Sequence, residues 1–457
     1  MVPSRNEPRG RRRVVVAGVV AGVLAGIAAG AALLGGATPP ASGGPRPEVL
    51  HAAPAIVTAN SPVSLGAATV CTKPEAASCA VSTAVAYVRP AGTDGWSRVD
   101  GEPSSGGYRF TVPRDLVPAD GFSYWLQLVT RDGSRIDYPP AGQTAPLRVL
   151  TTAQLPTRTV AEALDWDHPR SPDGQALRVT YGGGTQQVGR IAGRGDLAPS
   201  GPSSFDVGPD GSIQVVDWVH GRLQVFDAKG SYRRSAALPF DEPMDVAIGA
   251  QGQAYLATLG IDARVVEMSP AGEVVGRYPV AYGVSARIGA APEGPRVFVG
   301  PNQWAAVSVH RGIPLSAEDQ SRLQTASVPQ PDGGVGIASP VGRRRFAAVW
   351  TRPDGSRGGA VVTLPRGTQV GSDYLVQALP DGGAVVAQGV WDETHAGVGL
   401  FHFDAGGQIA SFSLLPEPTV EQASRFSTVR FRSPDEVLVA YSTDRAYTIA
   451  RFEVRSR

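Results

Sequence analysis

The residues with which this 457-residue chain could do chemistry are few: six histidines, two cysteines and some scattered charges. The histidines show no metal-ligand spacing, and neither a G-x-S-x-G elbow nor a glycine-rich phosphate loop is present. Cys71 and Cys79 flank TKPEAAS with no further ligands nearby, so we read them as a disulfide rather than free thiols or a metal pair. A bridge over so short a loop stabilises by about 2–3 kcal/mol on the entropy account. Asp217, His220 and Arg222 sit within six residues, and a lone loop histidine is more often a surface residue than a ligand. Asp245 falls where an inner strand would begin, but the matching positions hold Ser204 and Arg287. One carboxylate does not make a calcium site, which takes six or more oxygens. Arg343, Arg344 and Arg345 could touch an anion, and a solvated loop explains them equally.

What must position these residues is a repeated β meander. In GPSSFDVGPDGSIQVVDWVHGRLQVFDAKGSYRRSAALP (201–239), four short strands lie at Ser203–Val207, Ile213–Val216, Arg222–Phe226 and Tyr232–Leu238, separated by Gly-bearing turns. Such a meander alone exposes both faces and is barely stable, so further copies must pack on it. Its third-to-fourth-strand turn, Lys229-Gly230, recurs at Ala271-Gly272, Arg311-Gly312, Asp354-Gly355 and Gly406-Gly407, with second glycines 42, 40, 43 and 52 residues apart. First-to-second-strand turns follow at Glu293-Gly294, Asp332-Gly333 and Asp381-Gly382. The spacing suits propeller blades. The last copy, Ser427–Val454, has three strands, and Ala176–Ile191 is available as its fourth, which closes six blades over 176–457 and leaves no open edge.

The stretch GPSSFDVGPDGSIQVVDWVHGRLQVFDAKG resembles an NHL repeat, well in the first blade, fairly in the second and weakly beyond. The resemblance implies that Asp217 and Arg222 pair to hold a blade's loop. The family's asparagine is replaced by His220-Gly221. It also implies an enzymatic alternative, since related six-bladed propellers include metal-dependent hydrolases and lyases. Calcium would be a cofactor only in that case, and the residues themselves call for none. A third reading is an extracellular sensor acting with a partner chain.

Upstream, residues 51–150 read as a small β-sandwich, with strands at Val63–Val70, Thr83–Arg89, Trp96–Val99, Tyr108–Val112, Phe122–Val129 and Leu147–Leu150. TAVAYVRPAGTDGW and YRFTVPRDLVPADGFSYWLQLVTRDG resemble bacterial Ig-like or fibronectin-III-like modules, without the antibody Cys…Trp…Cys core. Residues 151–175 read as a linker. Ahead of the sandwich come a basic segment (1–13), an uncharged run (14–37) and a linker (38–50). The run is long enough to span a bilayer, and its basic flank would stay in the cytoplasm. The expected location is therefore a single-pass cell-membrane protein with its C-terminal part extracellular; the alternative is a secreted protein cleaved near Gly35-Gly36-Ala37. The fold class is all-β.

A net charge of +1 suggests no broad attraction to nucleic acid. The leading reading is a binding protein whose partner is a protein, peptide or glycan outside the membrane. Trp218, Trp304 and Trp391 lie in second-to-third-strand loops, which emerge on one propeller face, and large aromatics on a shared rim are common anchors. Each can instead pack between blades.

Overall fold

A computed structural model describes residues 48–454 except 52, 55, 71–76, 105–106, 140, 145, 194–198, 242–244, 259–263, 280–286, 292–293, 301–302, 308–335 and 419–427. The run 14–37 and Cys71 lie outside the described residues. Among those described, no helix is long and apolar enough to cross a membrane.

Ten strands form the N-terminal domain: β1 (Glu48–His51), β2 (Ile56–Val57), β3 (Val63–Val70), β4 (Val81–Pro90), β5 (Ser97–Asp100), β6 (Glu102–Ser104), β7 (Gly107–Val112), β8 (Phe122–Thr130), β9 (Arg135–Tyr138) and β10 (Leu147–Thr151). They make two sheets, ordered β1-β3-β7-β6 and β2-β10-β8-β4-β5, with β9 also on β8. The end of the expected linker 38–50 is therefore strand. The inner faces alternate apolar residues, and Leu65, Val88, Phe110, Tyr124 and Leu126 are shared in one core. His51 enters that core: its Nε2 meets the Tyr124 hydroxyl at 2.5 Å and its Nδ1 the Gly66 carbonyl at 2.6 Å.

Burial holds the His51 imidazole neutral, its pKa lowered to about 4, against a partial upward pull from the Gly66 carbonyl. The folded value is depressed, so the unfolded chain takes up the proton first as pH falls below about 6.5. Stability present above that pH is lost toward 4. At pH 5 the loss is about 2 kcal/mol. Acid titration followed by near-ultraviolet circular dichroism should show the sandwich weakening between pH 6.5 and 5, and His51→Gln should remove that slope.

The remaining strands form six sheets among the described residues. β11 (Thr157–Thr159) and β12 (Gly174–Thr180) come first, out of chain order with the blades they join. The first blade is β13 (Ser204–Val207), β14 (Ile213–Asp217), β15 (Arg222–Phe226) and β16 (Tyr232–Ala237), within a residue of the expected bounds. The second is β17 (Asp245–Ile248), β18 (Ala254–Ala257), β19 (Arg264–Met268) and β20 (Val274–Pro279). β21 (Ile288–Ala291), β22 (Gly294–Gly300) and β23 (Gln303–Ala306) belong to the third, and β24 (Gly336–Gly342), β25 (Arg345–Thr351) and β26 (Arg357–Thr363) to the fourth. The fifth is β27 (Gln369–Ala378), β28 (Ala384–Trp391), β29 (Ala396–Phe403) and β30 (Ile409–Leu415). The sixth has β31 (Val429–Ser433), β32 (Glu436–Ser442) and β33 (Ala446–Glu453).

The chain ends close the ring. β12 pairs antiparallel with β33 from Gly174↔Arg451 to Thr180↔Ala446, placing Leu177 and Val179 in the core shared by the sixth and first blades. The turn Lys229-Gly230 packs against this strand. Gly230 has φ +81°, and a Cβ there would stand 2.7 Å from the Ala176 carbonyl, so only glycine fits. Similar apolar layers join blades one and two, two and three, four and five, and five and six.

The fourth blade is arranged differently from the others. Val370 N bonds Arg343 O and Leu364 N bonds Arg344 O, so the β24–β25 turn lies where β27 begins. β24 therefore runs opposite to the first strand of the next blade, and among the described residues it is the edge strand of its sheet. Asp354-Gly355 is the turn between β25 and β26; Arg311-Gly312 and Asp332-Gly333 lie outside the described residues. β11 adds to this blade, parallel to β26. The segment 151–175 is thus no plain linker. It gives one strand to the fourth blade, passes the fifth with Leu164 and Trp166 against its core, and enters the sixth as β12. On the other side of the fourth blade, Ile56 of the sandwich packs on Ile337, Ala347, Val349 and Val361.

Candidate functional site

The first strands of the first two blades, β13 and β17, are the edge strands of their sheets and turn successive residues toward alternate neighbouring blades. Asp245 opens β17. Its Oδ1 accepts from Ser204 Oγ at 2.5 Å and from an Arg430 Nη at 2.7 Å, and its Oδ2 accepts from the backbone N–H of Ile288 at 3.0 Å. Arg430, on β31, also pairs through Nε with Asp206 Oδ1 at 3.2 Å, while Asp206 Oδ2 accepts from Ile248 N at 2.7 Å. One guanidinium from the sixth blade thus joins carboxylates of the first and second. Burial pushes the Asp206 carboxyl above its ordinary range, against the pull of Arg430. The Tyr447 hydroxyl, fully buried and without a hydrogen-bond partner among the described residues, lies within electrostatic reach of Arg430; burial raises its pKa.

Sequence spacing placed Asp245 and Ser204 at strand starts and Arg287 one residue ahead of β21, yet missed Asp206 and Arg430. Asp206 lies one period-two step beyond Ser204, so following the strand's alternation inward would have found it. Arg430 has no local signal. The cluster already uses its charges on one another, which fits it to fix the register of three blades. Among the described residues no group of three or more His, Cys, Asp or Glu could hold a metal ion.

Asp217, His220 and Arg222 form a second network. Asp217 is fully buried and accepts from Gly189 N at 2.8 Å and Arg222 Nε at 3.0 Å, with His220 Nδ1 at 2.8 Å. Arg222 also donates to the carbonyls of Gly184 and Gln187. The arginine and aspartate pair as the resemblance implied, and they anchor the chain that enters the first blade.

The three tryptophans lie at second-to-third-strand ends: Trp218 between β14 and β15, Trp304 in β23 just after its turn, and Trp391 at the end of β28. Trp218 and Trp391 differ in their surroundings. Trp218 is half-buried against the layer between blades one and two, and its Nε1 donates to the Gly201 carbonyl at 2.6 Å. Trp391 is 39% exposed. Of the basic residues at these ends, Arg343 and Arg445 are exposed, but Arg344 is held by the carbonyls of Leu364 and Pro365. His395 stacks on Trp166 at 5.6 Å.

Trp218→Ala should therefore cost stability, about 2–3 kcal/mol given its half-burial. Trp391→Ala should stay within about 0.5 kcal/mol. Thermal melts of the two variants check the difference, and equal losses would remove Trp391 as an available anchor.

No protein-family model and no curated protein matches the chain. Solved structures do. Hydrazine synthase of Kuenenia stuttgartiensis is 14% identical with a TM-score of 0.32, over 57% of this chain and 89% of that one. Virginiamycin B lyase of Staphylococcus aureus is 11% identical with a TM-score of 0.32, over 77% and 93%. A functionally unknown protein of Desulfotomaculum acetoxidans is 13% identical with a TM-score of 0.34, over 56% and 84%. At these identities and scores the likenesses carry no argument about activity. The β-propeller rests on the chain's own sheet order and closure.

Proposed function

We propose that the chain is an exported binding protein, held at the cell membrane by residues 14–37, whose propeller engages a protein, peptide or glycan through the face bearing the second-to-third-strand ends. The observation that carries this reading is Trp391, a large aromatic left 39% exposed on a face where the exposed Arg343 and Arg445 supply charge. The sandwich is of Ig-like type in this reading, supported by the parallel pairing of β2 with β10 beside the antiparallel strands. The blades are NHL-like, supported by the Asp217–Arg222 pair. Replacing Trp391 by a photo-crosslinking residue in intact cells tests the function. A discrete adduct at this position, absent when the residue is placed at Asp354 on the opposite face, is expected; equal labelling at both would overturn the reading.

Cys71 and Cys79 form an intramolecular disulfide in this reading. Cys79 is 5% exposed and no free cysteine occurs among the described residues. Peptide mass mapping without reduction should recover one linked peptide, and two alkylatable thiols would refute the bridge.

A further inference from the structure

On the face opposite Trp391, the turns of the first and second blades enclose a groove of about 870 Å³, within the roughly 300–1,000 Å³ typical of small-molecule sites. Three cations line it, Lys229, Arg233 and Arg234, against two carboxylates, Asp210 and Asp227. The carboxylates are occupied in their own turns. Asp210 accepts from Ser212 N at 3.0 Å, and Asp227 accepts from Lys229 N at 3.0 Å and Ser231 N at 2.8 Å. These bonds, led by Ser212 for the first and the Ser231 backbone for the second, hold both carboxyls below their ordinary range. Asp227 also pairs with Arg233 at 2.8 Å. Arg234 is fixed on the carbonyls of Pro270 and Ala271.

Two groups are left uncommitted. The Lys229 ammonium has no side-chain partner among the described residues, and it is one of only two lysines in the chain. Gln214 is 5% exposed, lines the groove and likewise makes no side-chain hydrogen bond among the described residues. Neither of its amide atoms is among the enclosed polar atoms that lack a partner, so the amide opens onto the groove. A free cation at the rim and an open amide at the floor match a ligand carrying one anionic group and neutral hydroxyls.

We infer that this groove binds an anionic sugar, with its carboxylate or phosphate at Lys229 and Arg233 and a hydroxyl on Gln214. The site is separate from the tryptophan face and does not depend on it. Titration calorimetry of the folded chain with glucuronate, glucose 6-phosphate and glucose tests the inference. At least one of the two anionic sugars should bind tenfold or more tightly than glucose, and which one does tells carboxylate from phosphate. Lys229→Glu should abolish the difference without moving the melting temperature, because the side chain is exposed in its turn. Gln214→Leu should weaken the anionic sugar while keeping its preference over glucose. Glucose bound as well as both anions, no binding of either anion, or an unchanged affinity in Lys229→Glu would overturn it.

Discussion

Leu177→Ala combined with Val179→Ala is expected to destabilise the propeller by about 4–7 kcal/mol, since a buried Leu→Ala alone costs about 2–5. That loss is comparable with the whole stability of many domains, about 5–15 kcal/mol. Both side chains lie on β12, 2% and 4% exposed, in the layer shared by the sixth and first blades. Losing them does more than leave a cavity. β12 is the outer strand of the sixth blade, and if it detaches, β33 becomes an open edge able to pair with another chain. Urea melts and light scattering should therefore change together: a lower midpoint with concentration-dependent aggregation. The comparison is Val274→Ala with Val275→Ala on β20, two apolar side chains 41% and 58% exposed at the rim of the second blade. That pair should move the midpoint little. If the two double variants melt alike, closure by the chain ends is not what holds the ring.

The second large effect concerns Arg430→Met. Removing this mostly buried guanidinium leaves the part-buried Asp206 and the buried Asp245 without their counter-charge, a change that costs up to about 3–5 kcal/mol. The loss should depend on pH. Burial already sets the Asp206 carboxyl above its ordinary range, and Arg430 opposes that rise. Without the arginine the folded-state value goes higher still. A carboxyl with a raised folded value favours the folded state when protonated, so its contribution is greatest below the unfolded value near 4 and is lost as pH rises through the folded one. The variant should be least stable at pH 8 and recover toward pH 5 relative to wild type. Thermal melts across that range check it. Asp206→Asn in the same background should recover part of the loss at pH 8, and a uniform deficit at every pH would show that the cluster does not act through charge.

Legibility followed the range of the signal. The first blade could be read almost to the residue because its first strand alternates, its second is an apolar run and each turn carries a glycine, all within about forty positions. The closing strand was legible because the last copy has three strands and Ala176–Ile191 stood available ahead of the first copy, though the strand itself is Gly174–Thr180. β11 was not: Thr157-Arg158-Thr159 is short and polar, and nothing near it indicates that its partner is Val361–Thr363. Ile56 was equally silent, since its contacts lie on the fourth blade. At the candidate site the same rule held. The Asp217–Arg222 pair spans six residues and was read. Arg430 meets Asp245 across 185 positions and was not.

The two early strands also set a timetable. β11 leaves the ribosome about 200 residues ahead of β26, and β12 about 270 ahead of β33. At about 5–20 residues per second, β12 waits some 15–50 s for its partner. Neither strand can pair until its partner has been made, so the 151–180 segment docks late in synthesis. Over that interval the unpaired edge of the 151–180 segment is exposed to pairing with other chains.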